Sequence, residues 1–271
     1  MLTPPESFQV PREGSTLIGD RWPGHGPTLV LLHAGVCDRR SWNGVVPLLR
    51  EAGTVITYDR RGFGDSPPSN TTFSHLQDLL AVVDALATGP VWLVGSSMGG
   101  GLALDAALTA PERVAGLVLL APGVSGAPEP EELDPATQRL SDALDAATDA
   151  DDVDLVNRLE VQVWLDGPAA REDRVTGPAR ELALAMNTIV LQHAEAEDAG
   201  DSGVDAWSRL GEIGAPTTIA CGDLDVPYLL EQCEQLLTRI PGARRATLPG
   251  TAHLPYLERP DLVAAVITSA L

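Results

Sequence analysis

The sequence predicts an α/β protein built on a mostly parallel sheet, and three observations carry that prediction. Short apolar runs alternate with segments of helical period, the pattern of βαβ units. The alternation is interrupted once, by 94 residues with helix-like stretches and no convincing strand. One strand runs into VGSSMGGG, Val94 to Gly101, where the chain has to turn sharply into a helix.

The elements follow in order. Phe8 to Val10 and Leu17 to Trp22 read as an antiparallel hairpin at the start of the chain. Strands are predicted at TLVLLH (28–33), TVITYD (54–59), VWLVG (91–95), VAGLVLLA (114–121), TTIACG (217–222) and ARRATLP (243–249). Helices are predicted over Trp42–Glu51, Phe73–Ala87, Met98–Ala110, Tyr228–Arg239 and Pro260–Leu271. The interruption, Pro122 to Ala215, contains DPATQRLSDALDAA, VDLVNRLEVQVWL and PARELALAMNTIVLQH. In the first of these, Leu133, Leu140 and Leu144 fall near one helical face. DADDVD (149–154) lacks the glycine and spacing of a calcium loop and reads as a helix cap with solvated charges. Inserted helices in such sheets sit over the carboxyl ends of the strands, where ligands bind. Residues 122–215 are therefore expected to form a lid on a core made of 1–121 and 216–271.

Composition narrows the function. All 18 basic residues of the 271 are arginine. That excludes a P-loop lysine, a Schiff base and a Ser–Lys dyad together. The net charge of −20 argues against nucleic acid or anionic membranes as partners. The interruption alone holds 21 acidic and 6 basic residues. No apolar run approaches the roughly 18 residues of a membrane helix, and MLTPPESFQV carries no export signal. Three cysteines without a CxxC pair predict neither a disulfide framework nor a zinc site, and fit a reducing cytoplasm. A small-molecule substrate is expected, with no cofactor and no metal; a homo-oligomer is compatible with the sequence.

The glycine-rich turn decides between two chemistries. Gly95, Gly99, Gly100 and Gly101 give GxxxGGG, which completes neither a dinucleotide fingerprint nor a P-loop. A nucleophile on a strand-to-helix turn instead needs small residues two positions either side. Ser97 has Gly95 and Gly99 there; Ser96 has Val94 and Met98. Ser97 is the candidate nucleophile.

A serine needs a base, and the base an orienting acid. His25, in PGHGP, and His75, at a helix start, are expected to face solvent. His193 falls on a helix of the interruption, and His33 is expected to brace a loop. His253, in LPGTAHLPYLERP after the last strand, is where a base can approach Ser97. The strand before it ends CGDLDVP and offers Asp223 or Asp225, of which Asp225 lies far enough past the strand to turn inward. The order Ser97…Asp225…His253 is that of the α/β-hydrolases. An oxyanion hole needs two convergent donors. One is the backbone N–H of Met98, and the other should come from LLHAGVCDRRSW.

With these pieces the chain resembles the α/β-hydrolase superfamily along nearly its whole length. LLHAGVCDRRSW, YDRRGFGDSP, VGSSMGG, GDLDVP and GTAHLPYLERPD match its oxyanion loop, a structural loop, its nucleophile elbow, acid loop and histidine loop. The resemblance implies an eight-stranded, mostly parallel sheet flanked by helices with an inserted helical cap, and supports Ser97, Asp225 and His253. The family reads His-Gly-X after the third strand; this chain reads His33-Ala34-Gly35, which carries the second donor to Gly35, with Val36 as the alternative. The serine excludes the aspartate-nucleophile members. The implied reaction is hydrolysis of a small ester or lactone through an acyl-enzyme. The alternatives are carbon–carbon bond hydrolysis of ring-cleavage products, which asks for a cap arginine (Arg158, Arg171, Arg174 or Arg180), and a slow-turnover signalling receptor. Val36, Trp164, Met186 and Tyr228 are the expected pocket walls.

Overall fold

The computed structural model describes residues 4–69, 71–193, 199–200 and 202–271. Eight strands form one sheet: β1 (Glu6–Arg12), β2 (Ser15–Trp22), β3 (Thr28–Leu32), β4 (Thr54–Tyr58), β5 (Val91–Ser96), β6 (Val114–Leu120), β7 (Thr217–Gly222) and β8 (Arg244–Leu248). Their spatial order is β1-β2-β4-β3-β5-β6-β7-β8. The opening hairpin pairs antiparallel within itself and onto β4, and every other pairing is parallel. The order reverses at β3, which lies between β4 and β5. A crevice opens at such a switch point, outside the carboxyl ends of the strands.

Both faces of the sheet are covered, and the period-2 alternation of the strands sorts their side chains. Val30, Leu32, Ile56, Leu93, Leu117, Leu119 and Ile219 point to one face, under α2 (His75–Leu86), α3 (Met98–Thr109) and α8 (Pro227–Arg239). Leu29, Leu31, Val55, Val94, Val118 and Leu120 point to the other, under α1 (Val46–Leu49), α9 (Pro255–Glu258) and α10 (Pro260–Ala270). Each such side chain, fully buried, contributes about 1.5–3 kcal/mol.

One predicted helix differs. Residues 42–51 do not form a single helix but a 3-10 turn, Arg39–Trp42, followed by the short α1. Asp38 caps the turn, accepting from Arg40 N, and Pro47, which has no N–H, starts α1 afresh.

Between β6 and β7 lie α4 (Pro135–Asp149), α5 (Val153–Val161), a π-helical turn (Gln162–Asp166), α6 (Pro178–His193) and α7 (Ala206–Arg209). Asp134 and Asp152 cap α4 and α5 through their side chains, so the DADDVD stretch does serve as a cap. Leu133 precedes the α4 cap; within the helix Leu140 is buried and Leu144 packs against the same cluster, and Thr137 and Ala147 are buried as well. Polar contacts join α5 to α6. Buried Asn187 donates to Asn157 Oδ1 at 3.0 Å and to Glu160 Oε2 at 2.6 Å, while Asn157 donates to Leu184 O and Thr188 Oγ1. Among the described residues no helix is long and apolar enough to cross a membrane.

Candidate active site

Ser97 joins β5 to α3 with φ 52° and ψ −120°, in the region that disfavours side chains. Its N–H donates to Leu120 O at 2.9 Å, and its carbonyl accepts from Gly100, Gly101 and Gly123. The flanking glycines have no room for a side chain. A Cβ on Gly95 would lie 2.3 Å from Gly99 O, and one on Gly99 would lie 2.4 Å from Leu32 O. The first turn of α3 therefore rests directly on the ends of β3 and β5. Gly100 and Gly101 face Pro122 and Gly123, admitting the chain where it leaves β6. Ser96 is fully buried in β5, and Ser97 is half-buried.

His253 Nδ1 lies 2.9 Å from Asp225 Oδ2, both side chains at most 3% exposed. With a carboxylate at Nδ1 the proton sits there, which leaves Nε2 as the acceptor. Asp225 also accepts from Val226 N at 2.7 Å and from the Cys221 thiol at 3.4 Å. The Cys221 pKa is pushed up by its hydrogen bond with Cys233 first, then by burial and by the Asp225 charge, so the thiol stays protonated and able to donate. Asp223 is exposed and accepts from Gly250 N at 2.7 Å, tying the acid loop to the histidine loop.

The loop after β3 meets the start of α3. A Cβ on Gly35 would lie 3.7 Å from Met98 Sδ. Met98 is the first residue of α3, so its N–H has no acceptor within the helix. The Ala34 carbonyl is held by His33 Nδ1 (2.8 Å), Arg60 Nη2 (3.1 Å) and Cys37 N (3.2 Å). Because the peptide is planar, these three contacts also fix the direction of the Gly35 N–H. Arg60 N donates to His33 Nε2 at 3.2 Å. His33 is buried with its pKa well below the ordinary value, through burial and then the Arg60 charge. It is a neutral brace, as expected.

The other histidines divide. His25 is exposed, whereas His75 is half-buried, its ring edge-on to Phe73 (5.0 Å) and Phe63 (6.4 Å). Aromatic neighbours from the preceding loops cover it, which a helix-surface pattern does not anticipate. His193 Nδ1 lies 2.8 Å from Gly62 O and ties α6 to the loop after β4.

Two cavities flank these groups. One of about 560 Å³ is lined by Ser97, Met98, Leu102, Gly123, Val124 and His75. The other, about 510 Å³, is lined by Leu133, Leu144, Val163, Trp164, Val226 and Tyr228. Trp164, a wall of the second, has its ring 4.7 Å from the His253 imidazole. Of the expected pocket walls, Trp164 and Tyr228 line a cavity. Val36 packs against the core under α1 and α10, and Met186 is fully buried in that cluster beside Val161, Leu165 and Ala183. The described residues contain no cluster of three or more metal-ligating side chains.

A switch-point crevice with a serine elbow beneath it is the arrangement of the α/β hydrolases. Residues 29–266 match the alpha/beta hydrolase family, and the chain belongs to it. The chain is similar to the pimeloyl-acyl-carrier-protein methyl ester esterase of Aeromonas hydrophila, 27% identical over 258 residues, 90% of this chain and 95% of that one. It is also similar to the 2-hydroxy-6-oxononadienedioate/2-hydroxy-6-oxononatrienedioate hydrolase of Cupriavidus pinatubonensis, 30% identical over 243 residues, 80% of this chain and 77% of that one. Among solved structures, Est816, an N-acyl homoserine lactone degrading enzyme, superposes with a TM-score of 0.74 at 27% identity, covering 97% of this chain and 99% of that one.

Proposed function

We propose that the protein is a serine hydrolase that cleaves a small carboxylic ester or lactone through an acyl-enzyme. The observation that carries this reading is the buried His253–Asp225 hydrogen bond, which leaves Nε2 free for the proton of an elbow serine. His253 takes the Ser97 proton as Oγ attacks the carbonyl, and Asp225 stabilises the imidazolium. The negative oxygen lies against the N–H groups of Gly35 and Met98, each worth about 3 kcal/mol to the transition state. His253 then returns the proton to the leaving alkoxide and activates the water that releases the acid. Residues 122–215 act as the cap over this site, and the cytoplasm is the expected compartment.

The Cupriavidus relative favours a second reading, carbon–carbon bond hydrolysis of a dienedioate. The arginines speak against it. Arg174 and Arg180 are engaged by Glu258, Asp166 and Asp173, while Arg158 and Arg171 are exposed. Among the described residues no arginine lines either cavity. A neutral acyl group suits such walls better than a dicarboxylate.

An ester panel of graded acyl length tests the assignment. Ser97→Ala is expected to abolish turnover, and Asp225→Asn to lower kcat by about 10⁴ through the wrong histidine tautomer. Asp223→Asn should retain most of the activity. Full turnover by Ser97→Ala would remove the nucleophile from this account, and a single slow cycle by the wild type would favour the receptor.

A further inference from the structure

The π-helical turn that ends α5 is tied to the histidine loop by its own last carbonyls. Carbonyls at a helix C-terminus have no donor within the helix and must find one elsewhere. Trp164 O accepts from His253 N at 3.1 Å. Leu165 O and Asp166 O accept from Arg174 at 2.8 and 2.7 Å. The same guanidinium donates to Gly250 O at 3.2 Å and to Glu258 Oε2 at 2.5 Å. Glu258 in turn accepts from Ala252 N at 2.7 Å through its other oxygen. Gly250, His253 and Glu258 of the histidine loop are thus held from outside it, and Glu258 passes the hold on to Ala252.

The clamp is itself rigid. The buried Asp166 carboxylate accepts from Asp173 N, Val175 N and Arg180 Nη1 at 2.7–3.0 Å, closing the loop that carries Arg174. Gly167, at φ 91°, brings the end of the turn against the acid loop, where a Cβ would lie 2.3 Å from Leu224 O. Among the described residues one hydrogen bond, to Asp225, fixes the His253 ring, and one bond leaves the ring free to rock about it. The Trp164 ring, 4.7 Å away and tilted 44°, removes that freedom from the side.

We propose that Trp164 and Arg174 are positioning residues for His253, so that the inserted helices aim the base as well as covering the site. This rests on the acyl-enzyme reading above. A base displaced by about 1 Å loses up to a hundredfold in rate. A residue that only lined the pocket would change KM, in proportion to acyl length, and leave kcat alone.

The test compares Arg174→Met, Arg174→Lys, Glu258→Gln, Trp164→Leu and Trp164→Phe on p-nitrophenyl acetate, butyrate and octanoate. Their reaction with a small fluorophosphonate is timed alongside. In that reaction Ser97 Oγ bonds to phosphorus, fluoride leaves and His253 takes the proton. Arg174→Met and Trp164→Leu are expected to lower kcat roughly tenfold to a hundredfold on all three esters, with KM within about twofold. Phosphonylation should slow in parallel. Trp164→Phe, which keeps a ring, and Arg174→Lys, which keeps a donor, should recover part of the loss. Thermal melts identify any variant that fails to fold, and Glu258→Gln, which keeps the size of its side chain, then carries the test. Unchanged kcat and phosphonylation in folded variants, or a change only in KM for octanoate, overturns the proposal. Ser97→Ala separates the two readings: an active Ser97→Ala sinks the acyl-enzyme, whereas an inactive one beside fully active Arg174 and Trp164 variants sinks the positioning role alone.

Discussion

The sheet and the helices inserted between β6 and β7 are held by different physics. In the sheet, apolar side chains fill both faces, and at the elbow backbone touches backbone with no space for a methyl group. In the insertion, Val161, Leu165, Ala183 and Met186 join the core, and polar contacts add direction: Asn157 with Asn187, Asp166 with Arg180, Arg174 with Glu258. The first kind of contact fixes position by exclusion and tolerates nothing. The second fixes it by direction and fails one bond at a time. The proposed site, with its nucleophile on the elbow and its base aimed by the insertion, draws on both.

The largest effect should come from adding one carbon to the sheet side. Gly95→Ala puts a methyl group against Gly99 O, neither of which can move aside. We expect about 3 kcal/mol of destabilisation and loss of ester turnover, read from the denaturant midpoint and the panel above. A variant as stable and active as the parent would break the contrast between the two regions.

A smaller and more local effect is expected in the insertion. Asn187→Ala leaves Asn157 and Glu160 without a donor, at about 1–3 kcal/mol. Hydrogen exchange should show protection lost over α4 to α6 while the strands keep theirs. Loss spread evenly over both would mean that the two regions unfold as one.

The smallest effect concerns pH and sharpens the role of the sheet's buried brace. His33 has a depressed folded pKa, so its contribution is present above the unfolded value of about 6.5 and is lost as pH falls below it. Asp59, raised to about 6 by burial, works in the opposite sense, gaining stability as pH falls through that value. The parent shows the sum, and comparison with His33→Gln isolates the histidine. Between pH 6.5 and 5 the variant should lose less stability than the parent, by at most about 1.4 kcal/mol per pH unit. Equal slopes in urea titrations would remove His33 as the neutral group.

Much of this was legible in the residues. Apolar runs bounded by turn residues found all eight strands to within a few residues, because buried strands advertise themselves locally. The sharp turn at Ser97 was legible for a steric reason, the two glycines that flank it. What local pattern could not reveal were contacts between distant segments. The π-helical turn follows a helical period like any other end of a helix, and nothing in REDR (171–174) says that its last arginine reaches Gly250 and Glu258. His75 looked exposed because one of the rings against it, Phe63, comes from the loop after β4, and the other, Phe73, precedes the helix cap instead of continuing the predicted helix. Met186 and Trp164 both read as apolar residues of inserted helices; only packing separates the one in the core from the one beside His253.

The φ of 52° at Ser97 has a consequence for how such a chain can change over generations. Holding a side chain there stores strain of about 1–3 kcal/mol, a fair share of a domain's net stability of roughly 5–15 kcal/mol. Selection on foldedness alone would favour glycine at this position. On the proposed mechanism, a serine there marks a point where stability and reactivity pull in opposite directions, and where a drift toward glycine would yield a sturdier protein without the proposed nucleophile.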